Sequence, residues 1–516
     1  MSKRNPAVYP REFKGGGPPQ ETPTASCRQG KISEARMTAF LTKGKPITSK
    51  ARREKALRHM NAMLAVVSEG GKTLVIKEDF DPVLKRRTLQ RSAFKDIASF
   101  YHRKVQIGLK KSRGSPLFTS VGQWWLSHEK RRQYRGVVFA PDQNVPGYFN
   151  LWNGFSVEPQ QGDWSLFRNH ILEVICGDDA DLLRYVLAWM AQGVQEPAIK
   201  SEVAIVLRSS ERGTGKSTFT RYYRELFGNH GIEVSNSEHL VGRFNGHLED
   251  CCVLVLTEAL CTGSARSEAV LKALITEDTI AIERKGVDVR NSPNYLRILM
   301  TSNSDRVVPA GLDERRFLVL DVDPKHKQDT EYFGALVEQM DNGGLAAMLH
   351  DLLEYDYSDI DLRTVPQTPA LLKQKIESLE PKDRWLFDKL AEGTLLPGDE
   401  AWAPEIEKKR LFDDFTESAA GFRSGKKATQ TELGMHLKKA FGEELKATRP
   451  SRRRKRVRCW LFPDLQRCRE LFDERLGASY DWPKVPLESV RRSKAADRSP
   501  SRSKRGSKGR SKRPSR

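Results

Sequence analysis

The apolar positions of the 516-residue chain change texture along its length. Between residues 203 and 323 four short runs are apolar on almost every residue: VAIVL from Val203, VLVL from Val253, LRILM from Leu296 and FLVLDV from Phe317. Runs of that kind and length belong to strands covered on both faces, as in a parallel sheet flanked by helices, so the pattern predicts an α/β core over residues 199–325. Upstream, Leu182, Leu183, Val186, Leu187 and Met190 stripe one face of a helix expected over Ala180–Gln192. A strand pair is expected around Ala65–Phe80. Together with aromatic clusters such as Trp124-Trp125, these elements make residues 35–198 an α+β region whose large side chains serve packing.

Beyond Pro324 the patterns are mostly helical through residues 326–395, and the break LLPGDEAWAPE then sets off residues 396–480. There TELGMHLKKAF reads as an amphipathic helix, SRRRKRVRCWLF as a basic strand pair and LQRCRELFDERLG as a closing helix, a small winged-helix-like module. Residues 1–34 are rich in Pro, Gly, Ser and Thr and are expected to form a disordered arm. Residues 481–516 read as a disordered basic tail, because like charges in a Ser/Arg/Lys tract repel one another.

Charge sharpens this picture. The chain carries 88 Lys+Arg against 67 Asp+Glu, a net +21. Residues 491–516 hold twelve Lys/Arg and one acid, and residues 449–458 hold seven and none, so two local segments supply 18 of the 21 charges. The remainder is close to neutral, which points to a polyanion met by two cationic devices. No run approaches the 18 apolar residues of a membrane span, and the N-terminus has no apolar secretion segment, so a soluble cytoplasmic protein with no membrane partner is expected. The seven cysteines form no CxxC pair and the ten histidines no HExxH, which fits a reducing compartment and offers no zinc framework.

The strongest local motif follows the first of the apolar runs. Ser210-Glu211-Arg212-Gly213-Thr214-Gly215-Lys216-Ser217-Thr218 stands between a strand and the helix-like KSTFTRYYRELF. A glycine turn leading into a helix N-terminus presents backbone N–H groups and a positive dipole end to phosphate oxygens. Lys216 would reach the β and γ phosphates of a nucleotide, Ser217 would hold Mg²⁺, and Gly213 and Gly215 let the backbone approach. The usual spacing opens with glycine where this chain has Ser210. The second apolar run ends in Thr257-Glu258, placing a carboxylate at a strand end where it can polarise water and share the metal. The third ends in Thr301-Ser302-Asn303, whose amide can bind water or the γ phosphate. Arg315 and Arg316 precede the fourth and, in a ring, one of them can project into a neighbouring subunit's nucleotide. The segment 279–290 reads as a hairpin with Lys285 near its tip, available to a DNA phosphate. Arg452, Arg453, Arg454, Lys455 and Arg456, flanked by Trp460 and Phe462, suit a module that holds a nucleic-acid backbone.

This ordered series (GTGKS at 213, SNSEHLVGRFNGHLED at 235, TEAL at 257, VLKALITEDTIAIERKGVDV at 270, TSN at 301 and VPAGLDERRF at 308, with GYFNLWNGFSVEP and GDWSLF upstream) resembles the helicase part of phage and prophage primase-helicases of the superfamily 3 type. With weaker similarity on either side it covers about two thirds of the chain. The resemblance implies an AAA+-like P-loop ATPase that uses ATP and Mg²⁺, forms a homo-oligomeric ring, commonly a hexamer, and translocates on single-stranded or forked DNA. It assigns Lys216 and Ser217 to the phosphate loop and Glu258 to the acidic strand end. Lys285 falls on the DNA hairpin, Asn303 on the sensor and Arg315 or Arg316 on the arginine finger. Many members also carry a primase-polymerase domain at the N-terminus; residues 36–146 show no counterpart, so primer synthesis is expected from a separate chain. Two positions depart from the family: Ser210 replaces glycine, and Thr257 stands where Asp is usual. Loss of that carboxylate removes a negative group near the metal. A non-hydrolysing nucleic-acid scaffold and a helicase loader therefore stand as alternatives to an ATP-driven helicase.

Overall fold

The protein is described by a computed structural model, which covers residues 27–484 apart from 82–85, 111–113, 237, 258–264, 286, 306, 309, 313, 420–428 and 453–454. The chain divides into two compact units, Met1–Glu158 and Pro159–Arg516.

In the first unit the expected strand pair forms and gains a partner. Strands Leu64–Glu69, Lys72–Asp81 and Arg86–Ser92 make an antiparallel meander. The turn joining the first two is Gly70-Gly71, at φ 57° and 71°, left-handed values that a two-residue hairpin demands and glycine supplies freely. The helices Cys27–Thr42 and Lys50–Met63 contribute Leu41, Ala56 and Met60 to a core that also holds Val66, Val75 and Trp125. Trp125 is fully buried, with its indole N–H satisfied by Asn61 Oδ1 at 2.7 Å. A helix starting at Cys27 corrects the expectation of a disordered arm reaching residue 34, because the residues that follow the Pro/Gly-rich stretch supply partly buried Met37 and Phe40 as well as Leu41 to this core. Residues 1–26 lie outside the described part.

The second unit is built on a five-stranded parallel sheet: β1 (Ala204–Arg208), β2 (Gly231–Val234), β3 (Val253–Thr257), β4 (Arg297–Ser302) and β5 (Phe317–Asp321), in the spatial order β5-β1-β4-β3-β2. The four apolar runs are the four longer strands. Thr257 sits opposite Thr301 and Ser302 opposite Arg208, so the carboxyl ends of β1, β3 and β4 are level. Around the sheet lie α1 (Ser165–His170), α2 (Ala180–Gln195), α3 (Lys216–Leu226) and α4 (Thr330–Gln339). Helix α2 is capped by Asp179 and buries Tyr185 to Ala191 continuously, so it is covered on more faces than its apolar stripe alone requires. The Trp189 indole donates to Val203 O at 2.9 Å, and the fully buried Arg297 of β4 donates to Gln192 O at 3.4 Å. For that reason the boundary expected at residue 198 falls at 158, and residues 159–198 build one unit with the sheet.

Two further corrections concern the C-terminal half. Helix Pro369–Glu377 packs Ala370 and Leu371 into the sheet's core, and the Thr368 hydroxyl donates to Val319 O of β5 at 2.5 Å. By contrast α5 (Pro381–Glu392) buries Trp385, Leu386, Phe387 and Leu390 in a separate core with the C-terminal elements. Those elements are β6 (Glu405–Glu407), α6 (Lys408–Ala419), α7 (Gln430–Phe441), β7 (Lys446–Thr448), a small hairpin of Ser451–Arg452 with Lys455–Arg456, β8 (Cys459–Leu461) and α8 (Leu465–Leu476). β8 lies between β6 and β7, antiparallel to both. The core extends past residue 480, since the Trp482 indole donates to Asp473 Oδ1 at 3.0 Å and its ring lies against Phe387. Residues from 485 onward lie outside the described part. Among the described residues no helix is long and apolar enough to cross a membrane.

Candidate functional site

The loop from Ser209 to Gly215 links β1 to α3 at the carboxyl edge of the sheet. Its two left-handed positions are Gly213 (φ 75°) and Gly215 (φ 94°), and Gly215 is the N-cap of α3. Ser210 is not among the positive-φ residues. The replacement of glycine there therefore carries no backbone strain. The first N–H groups of α3 have no intrahelical acceptor, as at any helix start, and they open on a cavity of about 540 Å³. Arg212 to Thr218 form one side of this cavity, and Thr257, Thr301, Ser302 and Asn303, from the ends of β3 and β4, form another. Crevices at the carboxyl ends of parallel strands are where ligands bind in open α/β sheets, and the volume is that of a small-molecule site.

Lys216 lies almost wholly inside, 7% exposed. Its ammonium donates to Asn303 Oδ1 at 3.0 Å, Glu211 O at 3.0 Å and Thr214 Oγ1 at 3.3 Å. Residues 87 apart in sequence are thus joined by one hydrogen bond across the cavity. Ser217 is exposed in the first turn of α3. Glu258, expected to be the catalytic carboxylate, lies outside the described residues, although its neighbour Thr257 lines the cavity. Among the described residues no cluster of three His, Cys, Asp or Glu could hold a metal by itself.

The remaining wall was not foreseen. Gln328, Asp329, Thr330 and Phe333 close the cavity from the start of α4. Gln328 N–H donates to Gly213 O at 3.1 Å, and Lys327 forms an ion pair with Glu211, which ties this segment to the phosphate-type loop. Beneath the loop lies His170, fully buried, its Nε2 3.3 Å from Gly215 O and its Nδ1 3.0 Å from the Tyr332 hydroxyl. Burial pushes this imidazole down to about 4, so it is neutral near pH 7. Gly215 O can only accept, so the proton belongs on Nε2 and Nδ1 accepts from Tyr332. Tyr332 in turn stacks on His326 at 3.8 Å and 3°. The one readable sign of this wall was Asp329 as a helix cap before TEYF; its side chain accepts from Tyr332 N. Nothing local marks His170, 45 residues upstream of its partner.

The other expected residues stand apart from the cavity. Phe317 pairs with Ala204 at the amino end of β1, whereas the loop follows Arg208 at the other end. Arg315 and Arg316 are therefore displaced from this chain's own cavity by the length of a strand, roughly 13 Å. They also differ from each other: Arg316 pairs with the buried Glu314 at 3.3 Å, while the guanidinium of Arg315 is exposed and has no ionic partner among the described residues. The hairpin is present as Thr279–Arg284 and Val287–Pro293, with Lys285 exposed at its turn. It is braced next to its turn, where Arg284 and Arg290 both pair with the buried Glu249 and Asn245 bonds the backbone of Ala281 and Glu283. Arg452 and Lys455 lie in the small C-terminal hairpin and Arg456 is exposed beside them, whereas Arg453 and Arg454 fall outside the described residues. Trp460 and Phe462, expected beside these cations as a surface, are 7% and 4% exposed and belong to the core. Strand alternation turns both inward, one residue either side of Leu461.

Comparison with known proteins agrees with this architecture. A model of a family of unknown function, DUF5906, matches residues 207–316, from the end of β1 to the start of β5. The DNA primase-polymerase of Nitratiruptor phage NrS-1 is 22% identical over 264 residues, 48% of this chain and 36% of that protein, so the match spans about a third of the relative's length. An apo structure of the NrS-1 C-terminal region is 16% identical and covers 75% of this chain and 96% of that one, with a TM-score of 0.53. A second, the A form, covers 80% and 99% with a TM-score of 0.55. The chain resembles that region in fold. At such identity the likeness to the NrS-1 structures speaks for the mixed α/β architecture and its parallel sheet, and the chemistry rests on the residues above.

Proposed function

We propose that the second unit is a P-loop ATPase of the AAA+ kind, and that the protein is an ATP-dependent DNA helicase of phage replication, working as a ring. The observation that carries this reading is the convergence of Lys216, Ser217, Thr257 and Asn303 on one 540 Å³ cavity at the carboxyl ends of β1, β3 and β4. The strand order β5-β1-β4-β3-β2 supports it, as does the similarity to a phage primase-polymerase. In this reading the loop amides and Lys216 hold the triphosphate, Asn303 orients the attacking water, and Glu258, next after Thr257, polarises it. Ser217, with the phosphates, would hold Mg²⁺, which when bound neutralises charge on the β and γ oxygens. Arg315, exposed and unpaired among the described residues, is the better candidate of the two arginines to reach a neighbouring subunit's phosphates, because Arg316 is held by Glu314. Lys285 on its braced hairpin would meet the DNA backbone.

The test is ATP turnover with and without single-stranded DNA, in the wild type and in Lys216→Ala. DNA-stimulated turnover that vanishes in the variant supports the reading. A wild-type rate no higher than that of Lys216→Ala, with DNA binding intact, refutes hydrolysis and leaves a nucleic-acid scaffold, the alternative that Thr257 in place of the usual Asp favours. Strand displacement on a forked duplex by the purified protein separates a helicase from a loader.

A further inference from the structure

The C-terminal elements run helix, strand, helix, helix, strand, hairpin, strand, helix, and α7 is the second helix of the central pair. One side of α7 is fixed by the core: Leu433, Leu437 and Phe441 recur at i, i+4 and i+8 and are buried against Trp460 and Phe462. Its opposite side presents Thr431, Met435, Lys438 and Lys439 to solvent, with Met435 62% exposed. No acid lies on that side. The one acid of the helix, Glu432, is used in a capping box, accepting from Thr429 N at 2.8 Å while its own N–H donates to Thr429 Oγ1.

Cations from three elements gather at the end of this helix. Lys408, at the start of α6, lies over the Trp460 ring, 3.3 Å from its centroid. Its ammonium is pushed down first by burial and then by Lys438, Arg458 and Arg449, so the four charges feel one another. Arg449, Arg456, Arg458 and Lys438 are exposed, and none of these five cations has an ion-pair partner among the described residues. Elsewhere in the module cations are compensated: Arg467 of α8 is neutralised by Glu444, Glu470 and Glu474. Neighbouring like charges left uncompensated are a site for a polyanion.

We infer that this face, α7 with the start of α6 and the neighbouring Arg449 and Arg458, binds the backbone and major groove of double-stranded DNA. The inference deepens the reading of DNA as the partner and assigns a second contact away from the nucleotide cavity. Duplex is favoured over single strand because single-strand binders offer exposed aromatic platforms, and here Trp460 and Phe462 are turned into the core with Lys408 capping the indole. A helix whose solvent side carries Thr431, Met435, Lys438 and Lys439 and no acid fits the wide major groove of B-form DNA, whereas the deep, narrow groove of A-form RNA excludes it. The cations gathered at the end of the helix can then meet phosphates at the edge of that groove.

The experiment uses the full chain without nucleotide, so that failure of ATP turnover leaves it interpretable. A fluorescent 20-bp DNA duplex, a single strand of the same length and a 20-bp RNA duplex are titrated by anisotropy against wild type and the triple variant Lys438→Ala/Arg449→Ala/Arg458→Ala across a salt series. Losing three phosphate contacts is expected to lower the slope of log affinity against log salt by about 2.7 and to weaken duplex DNA binding at least about tenfold, with little change for the single strand. In parallel, duplex DNA is expected to shield Lys438 and Lys439 from amine acylation read by mass spectrometry, a readout independent of the basic C-terminal segment. Unchanged duplex affinity and slope, an equal loss for the single strand, equal dependence of RNA duplex binding on the three residues, or undiminished acylation of both lysines would each overturn the inference.

Discussion

The contact between the glycine loop and His170 makes Gly215→Ala the most exacting test of the site's architecture. At φ 94° an alanine is forced into the left-handed region, at roughly 1–2 kcal/mol. Its Cβ would also lie 2.3 Å from His170 Cε1, 2.7 Å from His170 Nε2 and 3.1 Å from Phe333 Cε1. The imidazole cannot step aside: it is fully buried, stacked on Phe167 at 22° and held by Tyr332. Overpacking of this kind costs about 1–3 kcal/mol, so the substitution should lower stability by about 2–5 kcal/mol, a large part of an ordinary domain's margin. Urea unfolding of the variant measures this directly. Gly311→Ala is the control, because a Cβ there meets nothing within 4 Å, and it should change stability by under about 0.5 kcal/mol. In a His170→Ala background the clash is relieved, and Gly215→Ala should cost only the backbone part, about 1–2 kcal/mol. A loss below about 1 kcal/mol in the first background, or one that is the same in both, would show that the loop does not rest on His170.

Three further outcomes are expected. Asn303→Ala removes the oxygen that Lys216 meets at 3.0 Å and should slow ATP turnover by about 10²-fold, as loss of one site hydrogen-bonding group commonly does; an unchanged rate removes Asn303 from the site. Arg315→Ala should abolish turnover without moving the urea midpoint and be rescued when mixed with Lys216→Ala subunits, whereas Arg316→Ala, which leaves the buried Glu314 unpaired, should cost about 1–2 kcal/mol of stability. The neutral His170 contributes stability that is present above its ordinary value of 6.5 and is lost as pH falls toward about 4, because the unfolded chain takes up the proton first. His170→Gln should therefore flatten the fall of stability between pH 6.5 and 4, and an identical slope in both proteins would show that the ring protonates in the fold.

Much of the sheet was legible because four of its strands are buried on both faces and so leave unbroken apolar runs. β2 left no such mark: it is a four-residue edge strand in which only Ile232 and Val234 are apolar. Domain limits failed where packing, and not composition, decides them. Helix α2 reads as an ordinary amphipathic element, yet its indole at Trp189 and the guanidinium of Arg297 bind it to the sheet. The same holds for α5, which follows the helical run in sequence but buries Trp385 and Phe387 in the C-terminal core.

The candidate site divides along the same line. Gly213, Gly215, Lys216 and Ser217 are contiguous, and their chemistry depends on local backbone shape, so sequence spacing suffices to find them. Asn303 was reached by its place at a strand end. The wall of Gln328, Asp329 and Phe333 and the support from His170 arise because the chain returns to the loop from both directions, and a return of that kind leaves only weak local traces, such as the Asp329 cap. Trp460 and Phe462 show the reverse error. Seven cations in ten residues made the aromatics beside them look like part of a binding surface, but Trp460 and Phe462 are drawn into the core around β8, while Arg456 and Arg458, which precede that strand, stay exposed. A basic run with interleaved aromatics is thus evidence for a stacking platform only when the rings share the face of the charges, which depends on register and on which neighbour covers the strand.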